Sequence, residues 1–505
     1  RQPGVMSQDL HIDALRHLEM LLMQLRMGGS SQHDLNRAYP CSWLYHCSAA
    51  IKSTDMLILS TITIFAMAIV PQQYADDGRG QALFDSEWHA NRRTALLEFF
   101  ENKEPGIIVL RGKAKNEDYR AFRQDNNFWY FTGVTTPNAV LVMTTDKKEQ
   151  YFLVPEVGEM DERWNGNLID PDEAKALTGI KNCLPFSSLS SLLDKLSKKY
   201  KTVYVQRQPA ENWMMSRDNL QAWAREIMNN PYDGRLHREG QFAEKLEELH
   251  GFKSKDISVT LDAMRIIKTP EEVEAMRWAC TVSGLGHEAV ISSAMPGDYE
   301  WELGARMMYE FQIAGGMGQG GYAAIVASGI NACTLHYNEN TRALKESEIV
   351  MIDYGAEYNH YIADISRSWP TGKKFTKRQR EVYQAVFDAQ EAAFKMCKPG
   401  ATLRDVSNAA QRVLSERGFG TMWHGTSHWL GMATHDVGRW GARFEPGMAF
   451  TVEPGIYLPK EGIGVRIEDV VVITEDGYEL ISSMIPRSVE EIEALRAEAY
   501  DMYGE

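Results

Sequence analysis

The sequence is poor in cysteine. It has six in 505 residues (Cys41, Cys47, Cys183, Cys280, Cys333 and Cys397), scattered and with no CxxC pair. That argues against both a disulfide scaffold and a thiolate zinc site, so any metal would have to be held by oxygen and imidazole. Positive charge is also in deficit: 54 Lys and Arg against 69 Asp and Glu leave a formal net charge of −15. A surface this acidic repels phosphate backbones, and nucleic acid is not an expected partner. Long apolar runs are lacking too. The uncharged stretch at residues 56–70 (MLILSTITIFAMAIV) falls short of the roughly 20 residues a membrane-spanning helix needs, so no stable span is expected.

A hydrophobic content of 44% with 10% aromatics is enough to build cores, and the length suits roughly three domains of about 150 residues or two larger ones. Residues 52–75 read equally well as the core of an export signal or as a buried strand or helix; Asp55 and the residues ahead of Lys52 weigh against the signal. A working signal implies an exported or periplasmic protein, and its absence a cytoplasmic one. Residues 1–80 are accordingly read as an N-terminal extension.

From residue 81 to about 250 the pattern is that of an α/β domain. Asp85–Asn102 predicts a capped helix, Gly106–Leu110 a strand, and Ala139–Met143 and Tyr151–Val154 a hairpin around Asp146–Glu149. The charged, glycine-containing stretch 233–256 reads as a linker. A second domain, 255–505, opens with the capping box Thr269-Pro270-Glu271-Glu272. Two similar units follow. One runs from that helix through Met295-Pro296-Gly297 to a helix over Tyr299–Gln312; the other runs from Thr376–Met396 through Lys398-Pro399-Gly400 to Thr402–Arg417. Each ends in strands, which suggests a pseudo-two-fold domain with a site between its halves.

Acidic residues stand where strands are expected. In Ile349–Pro370, a turn at Tyr358-Asn359 sets Asp353 opposite Asp364 on one face of a hairpin. Two carboxylates facing each other among apolar neighbours repel unless one is protonated or a cation lies between them; the alternative is that both face solvent. Glu453 and Glu468, separated by a turn at Lys460-Glu461-Gly462, repeat the pattern. Between the two hairpins lie His424 and His428. The intervening Gly-Thr-Ser is poor helix, so the helical zinc motif fails and a loop or strand offering one imidazole fits better. Four carboxylates and an imidazole make a hard, oxygen-rich set suited to paired divalent ions, Mn²⁺, Co²⁺ or Zn²⁺ rather than copper or iron–sulfur.

His424–Asp436 (HGTSHWLGMATHD), taken with Asp353, Asp364, Val452-Glu453-Pro454-Gly455 and Arg466-Ile467-Glu468, resembles the pita-bread metallopeptidases, the family of methionine aminopeptidase, prolidase and aminopeptidase P. Arg123-Gln124, Asn127–Gly133 (NFWYFTG), Met264–Thr269 (MRIIKT) and Ser427-His428-Trp429 are most similar to the bacterial aminopeptidase P branch. The resemblance covers roughly residues 85–495. It implies an α/β (α+β) protein: an N-terminal α/β domain followed by a pseudo-two-fold pita-bread catalytic domain. It also implies a dinuclear site, Mn²⁺ first with Zn²⁺ or Co²⁺ as alternatives. Asp364 and Glu468 would bridge two ions, Asp353 would complete one, and His428 with Glu453 the other. By the same likeness His336, His424 and His435 touch substrate, Arg466 lies beside the site, and Trp164 corresponds to a tryptophan that reaches it. Two departures stand out: Thr434, where the family is usually aliphatic, and an extra residue within Asp118–Gln124.

The reaction so implied is hydrolysis of the N-terminal Xaa-Pro bond of a peptide by a metal-bridging hydroxide, with Glu453 moving the proton and His424 or His435 steadying the oxyanion. The substrates would be peptides with proline in second place, and the protein a homo-oligomer, dimer or tetramer. Each secondary residue has a plainer reading: His336 as a packed core histidine, Arg466 as the ion-pair partner of Glu468, Trp164 as an ordinary core or surface aromatic. For the whole protein the rivals are a prolidase restricted to Xaa-Pro dipeptides and a non-catalytic peptidase-like binding module; all five ligand positions being filled speaks for an enzyme.

Overall fold

The structure is a computed structural model and describes residues 83–503 apart from 117, 118, 120, 167, 212–215 and 317–320. The extension 1–80, with the segment 52–75 inside it, therefore lies wholly outside the described residues. Among the described residues no helix is long and apolar enough to cross a membrane.

The first half runs α1 (Ser86–Phe99), β1 (Gly106–Arg111), α2 (Asn126–Thr132), β2 (Val140–Thr144), β3 (Gln150–Val154), α3 (Glu159–Asn165), α4 (Pro171–Thr178), β4 (Asn182–Pro185), α5 (Leu189–Ser197), β5 (Thr202–Val205), α6 (Arg217–Asn229), α7 (Arg238–His250) and β6 (Lys253–Asp256). The six strands form one mixed sheet in the order β4-β3-β2-β1-β5-β6. Asp85 caps α1 by accepting the Trp88 N–H, and the β2–β3 hairpin turns over the expected polar residues, with Lys148 at a φ of 55°. Ile107, Val109, Val140, Val142, Leu153, Val203 and Val205 pack against Leu192, Leu193 and Leu196 of α5 and Phe252. Residues 233–256 are not the expected linker. His237 caps α7, which buries Ala243 and Leu246, and the chain then adds β6 as the sheet's edge strand, so the stretch completes the domain. Its high charge is that of a solvated helix face and an exposed edge.

The second half follows through α8 (Ser258–Ile266), α9 (Pro270–Ile291), α10 (Glu300–Ile313), β7 (Ile325–Ser328), β8 (Ile349–Asp353), β9 (Glu357–Tyr358), β10 (Tyr361–Ile362) and β11 (Ser366–Pro370). It continues with α11 (Lys377–Phe394), α12 (Leu403–Glu416), β12 (Ala449–Val452), β13 (Gly455–Leu458), β14 (Ile463–Arg466), β15 (Asp469–Ile473), β16 (Tyr478–Leu480) and α13 (Val489–Tyr503). The duplication is real as architecture. A packed helix pair, α9 with α10 or α11 with α12, precedes a three-stranded antiparallel sheet, β11-β8-β7 or β12-β15-β16. Capping boxes at Thr269/Glu272, Thr376/Gln379 and Thr402/Asp405 start three of the four helices, each cap contributing about 1 kcal/mol.

Between these sheets the chain turns tightly twice. Gly355 lies so close to the opposite strand that an added Cβ would stand 1.9 Å from the Ala363 carbonyl oxygen, and one on Gly464 would stand 2.0 Å from that of Ala332. Only glycine permits either approach. The second draws the Gly329–Cys333 turn, and with it His336, against the β13–β14 hairpin.

Candidate metal centre and active site

Strand register decides which acids meet. The first hairpin turns at Asn359-His360, both with positive φ (48° and 69°), one residue beyond the expected turn. The pairing is therefore Ser366 with Asp353, and Asp364 stands diagonally across rather than opposite. A one-residue error in the turn moves the register by two positions, which keeps every side chain on its face, so the acids still converge. The second hairpin follows the expected register: Val452 pairs with Asp469 and Gly455 with Arg466, which sets Glu453 across from Glu468. His428 comes from an extended segment that runs along β12, with its N–H donated to Thr451 Oγ1 (3.1 Å) and the Thr451 N–H donated to its carbonyl (2.9 Å).

The five side chains form one cluster, and none of the acids faces open solvent. His428 Nε2 lies 3.3 Å from Asp364 Oδ2, 3.3 Å from Glu453 Oε1 and 3.9 Å from Glu468 Oε1. Its Nδ1–H donates to the Trp429 carbonyl (3.1 Å), which reserves Nε2 for the cluster. Asp364 and Glu468 are almost wholly buried, at 3% and 2% exposure. Asp353 accepts from Arg466 Nη2 (2.7 Å) and from the Tyr322 hydroxyl (2.5 Å). Ser366 Oγ donates to Glu468 Oε2 (2.7 Å) and accepts from Arg466 Nε (2.7 Å).

The charges do not balance. Burial first, then the Asp364 and Glu453 carboxylates, pushes the Glu468 carboxyl well above its usual range. Burial lifts Asp353 to about 7, with Arg466 pulling down and Asp364 pushing up. Burial also works against charge on His428, yet Asp364 and Glu453 outweigh it and raise the ring to about 9. Burial raises Asp364 as well, and its bond to His428 brings it below the usual value. A protein-only cluster thus has to take up protons, and divalent cations supply the same neutralisation. Asp364, His428 and Glu468 present one ligand atom each, all within 4.8 Å of one another. Donors about 2.1 Å from a shared ion stand roughly 3–3.5 Å apart, so this donor set fits a metal.

The histidines fall at its edge. His424 Nε2 faces the Tyr457 hydroxyl (2.7 Å), which also accepts from Arg466 Nη1 (3.1 Å); the hydroxyl must therefore donate to Nε2, leaving Nδ1–H for the Gly425 carbonyl (2.7 Å). Burial, then Arg466, lowers the His336 pKa, and His435, Glu453 and Asp364 also act on its ring. The ring is only partly desolvated and the residue as a whole is exposed, so the packed-core reading of His336 does not hold. His435 lies against His428 with ring centroids 4.1 Å apart and planes tilted by 36°, and its Nδ1 lies 2.9 Å from Asp218 Oδ2. Arg466 is the ion-pair partner of Asp353, not of Glu468. Trp164 is 82% exposed on α3 and has no ring partner among the described residues.

Sequence reading missed Tyr322, Thr451, Tyr457 and Asp218. It noted Ser366 only as part of the strand alternation that carries Asp364, and that two-residue spacing was the available signal for its place on the acid-bearing face. Tyr322 and Asp218 carry none, because only the fold brings them near.

Residues 274–475 match the profile described as Metallopeptidase family M24, and residues 89–204 that described as Aminopeptidase P, N-terminal domain. The chain is 31% identical to the Xaa-Pro aminopeptidase of Escherichia coli (strain K12), across 81% of its own length and 97% of that relative. It is 28% identical to the mitochondrial Intermediate cleaving peptidase 55 of Arabidopsis thaliana, across 81% and 82%. Among solved structures it is similar to the aminopeptidase PepP of Pseudomonas aeruginosa (TM-score 0.70, 30% identity, 83% of this chain and 99% of that one). It is equally similar to the E. coli aminopeptidase P with the inhibitor Pro-Leu (TM-score 0.70, 29% identity, 83% and 99%). With its amino-terminal domain, its duplicated helix–sheet halves and an acidic, histidine-bearing cluster between them, the chain belongs to the Xaa-Pro aminopeptidase group of metallopeptidase family M24.

Proposed function

We propose that the protein removes the first residue from peptides whose second residue is proline, using two divalent ions, Mn²⁺ by preference, held by Asp353, Asp364, His428, Glu453 and Glu468. The observation that carries this reading is the convergence of those five side chains from four separate stretches of chain. Ions bound there would lower the pKa of a water to near neutral and polarise the scissile carbonyl.

The protein's own groups supply the rest. Thr451 donates to Glu453 Oε1 (3.1 Å), fixing a carboxylate that takes the proton of the attacking water and passes it to the departing proline nitrogen. His336 and His435, at the margin of the cluster, face the substrate's carbonyl groups. Asp353 lies where the free amino end docks, which limits cleavage to one residue. Proline brings no N–H and a fixed φ, so strand-like docking is weak and a shaped pocket has to replace it. A prolidase needs a cation for the carboxylate that follows proline. Arg466 is already bonded to Asp353, Ser366 and Tyr457, which favours longer peptides.

Mass-spectrometric comparison of Ala-Pro with a longer Ala-Pro peptide tests the assignment. Release of alanine from the longer peptide is expected. Turnover of the dipeptide alone, or of neither by the Mn²⁺-loaded protein, rejects it.

A further inference from the structure

The segment carrying His435 is held from outside its own domain. Arg123 Nη2 and Asn126 Nδ2 donate to the Met432 carbonyl (3.2 and 3.0 Å), and the Arg217 N–H donates to the Thr434 carbonyl (3.3 Å). On the far side Asp436 accepts from Arg265 Nη2 (2.5 Å), an arginine that also pairs with Glu211 (3.0 Å). His435 itself sits at a φ of 53°, a conformation that a residue with a side chain keeps only when its surroundings hold it. Asp218, in the first turn of α6, meets the ring: its Oδ2 is 2.9 Å from Nδ1, and its Oδ1 accepts the Asn219 N–H (2.9 Å), which orients the carboxylate.

We propose that Asp218, contributed by the amino-terminal domain, is a positioning residue for His435: it occupies Nδ1, sets the ring against His428, and keeps Nε2 for the substrate. The inference rests on the reading above of His435 as a substrate-facing histidine. An imidazole on a rotatable bond has two ring flips and two neutral tautomers. A carboxylate at Nδ1 selects one of each, because a carboxylate only accepts and Nδ1 must then carry the hydrogen. Asp218 is well exposed, so replacing it leaves the core intact.

The test uses Asp218→Ala and Asp218→Asn in the full-length, metal-loaded protein. With an Xaa-Pro peptide, Asp218→Ala should lower kcat by about tenfold to a hundredfold at nearly unchanged KM. Asp218→Asn, which keeps an oxygen acceptor, should recover part of that loss. In the diamagnetic Zn²⁺ form, nitrogen NMR of ¹⁵N-histidine-labelled protein, assigned with His435→Gln, should show a protonated Nδ1 that is lost in Asp218→Ala. Wild-type kcat in Asp218→Ala, or an unaltered His435 Nδ1 signal, overturns the proposal. A wild-type protein inactive on Xaa-Pro peptides would sink the functional reading instead, and the NMR comparison would still decide the role of Asp218.

Discussion

Arg466 reaches across the site to Asp353, 2.7 Å away, and leaves Glu468, two residues further along its own chain, to Ser366. The guanidinium so links the two hairpins: it joins Asp353 at the end of β8, Ser366 at the start of β11 and Tyr457 of β13. A lysine ammonium has no planar fork with which to reach all three. Arg466→Lys should cost about 1–3 kcal/mol, since buried partners lose their bonds. Urea unfolding of the metal-free protein measures this; an unmoved midpoint contradicts the linking role.

On the proposed metal assignment, protons and metal compete for the same atoms. In the metal-free protein His428 keeps its proton up to about pH 9 and Asp353 up to about 7. Both values lie above those of the unfolded chain. The stability each group contributes is therefore complete below its unfolded pKa and disappears as pH climbs through the folded value. The melting temperature of the metal-free protein should thus fall between pH 6 and 9, while metal affinity rises over the same range and binding releases protons. Calorimetry in buffers of different ionisation enthalpy counts those protons. Uptake, or no exchange at pH 7, would be the wrong sign.

The Tyr457 hydroxyl joins Arg466 to His424. Tyr457→Phe removes a single oxygen, leaves a buried arginine N–H without its acceptor and frees the His424 tautomer. Stability should drop by about 1–3 kcal/mol and kcat more than KM should change. Steady-state kinetics on an Xaa-Pro peptide separate the two; a pure KM effect would assign Tyr457 to binding.

Asp364→Asn keeps the shape of the side chain and removes the charge that pairs with His428. Bound metal should fall below that of the wild type, and activity by at least about a hundredfold. Elemental analysis after gel filtration gives the first number and peptide turnover the second. Full metal content with full activity would place the ions elsewhere.

Gly355→Ala probes register alone. The added carbon would meet a backbone oxygen that no rotamer change can move, so the strands on either side of Asp353 and Asp364 must part. A lower melting temperature together with weaker metal retention is expected. Loss of one without the other would uncouple the glycine from the site.

Much of the site was legible because strand pairing is periodic. Asp353, Asp364, Glu453 and Glu468 each sit at or beside an apolar strand, and a period of two keeps a side chain's face even when the turn is misplaced by one residue, as it was at Asn359-His360. The glycine at 425 gave away that the His424–His428 stretch is no helix. What the sequence hid depends on contacts across long separations. Arg466 looked like a partner for Glu468 because both lie on one short stretch, whereas its true partner is Asp353. Residues 233–256 looked like a linker because a solvated helix and an edge strand are as charged as a loop. Nothing in Asp218 announces that it meets a histidine more than two hundred positions away.

The anchoring of Met432–Asp436 bears on how far the chain can be cut. A shortened protein starting at Ser258 would retain all five proposed metal donors, and yet Arg123, Asn126, Arg217 and Asp218 would be gone. Such a fragment should still load with ions and turn over poorly. The leading domain holds the segment that carries His435, so truncation or domain exchange cannot treat the two halves as separable parts.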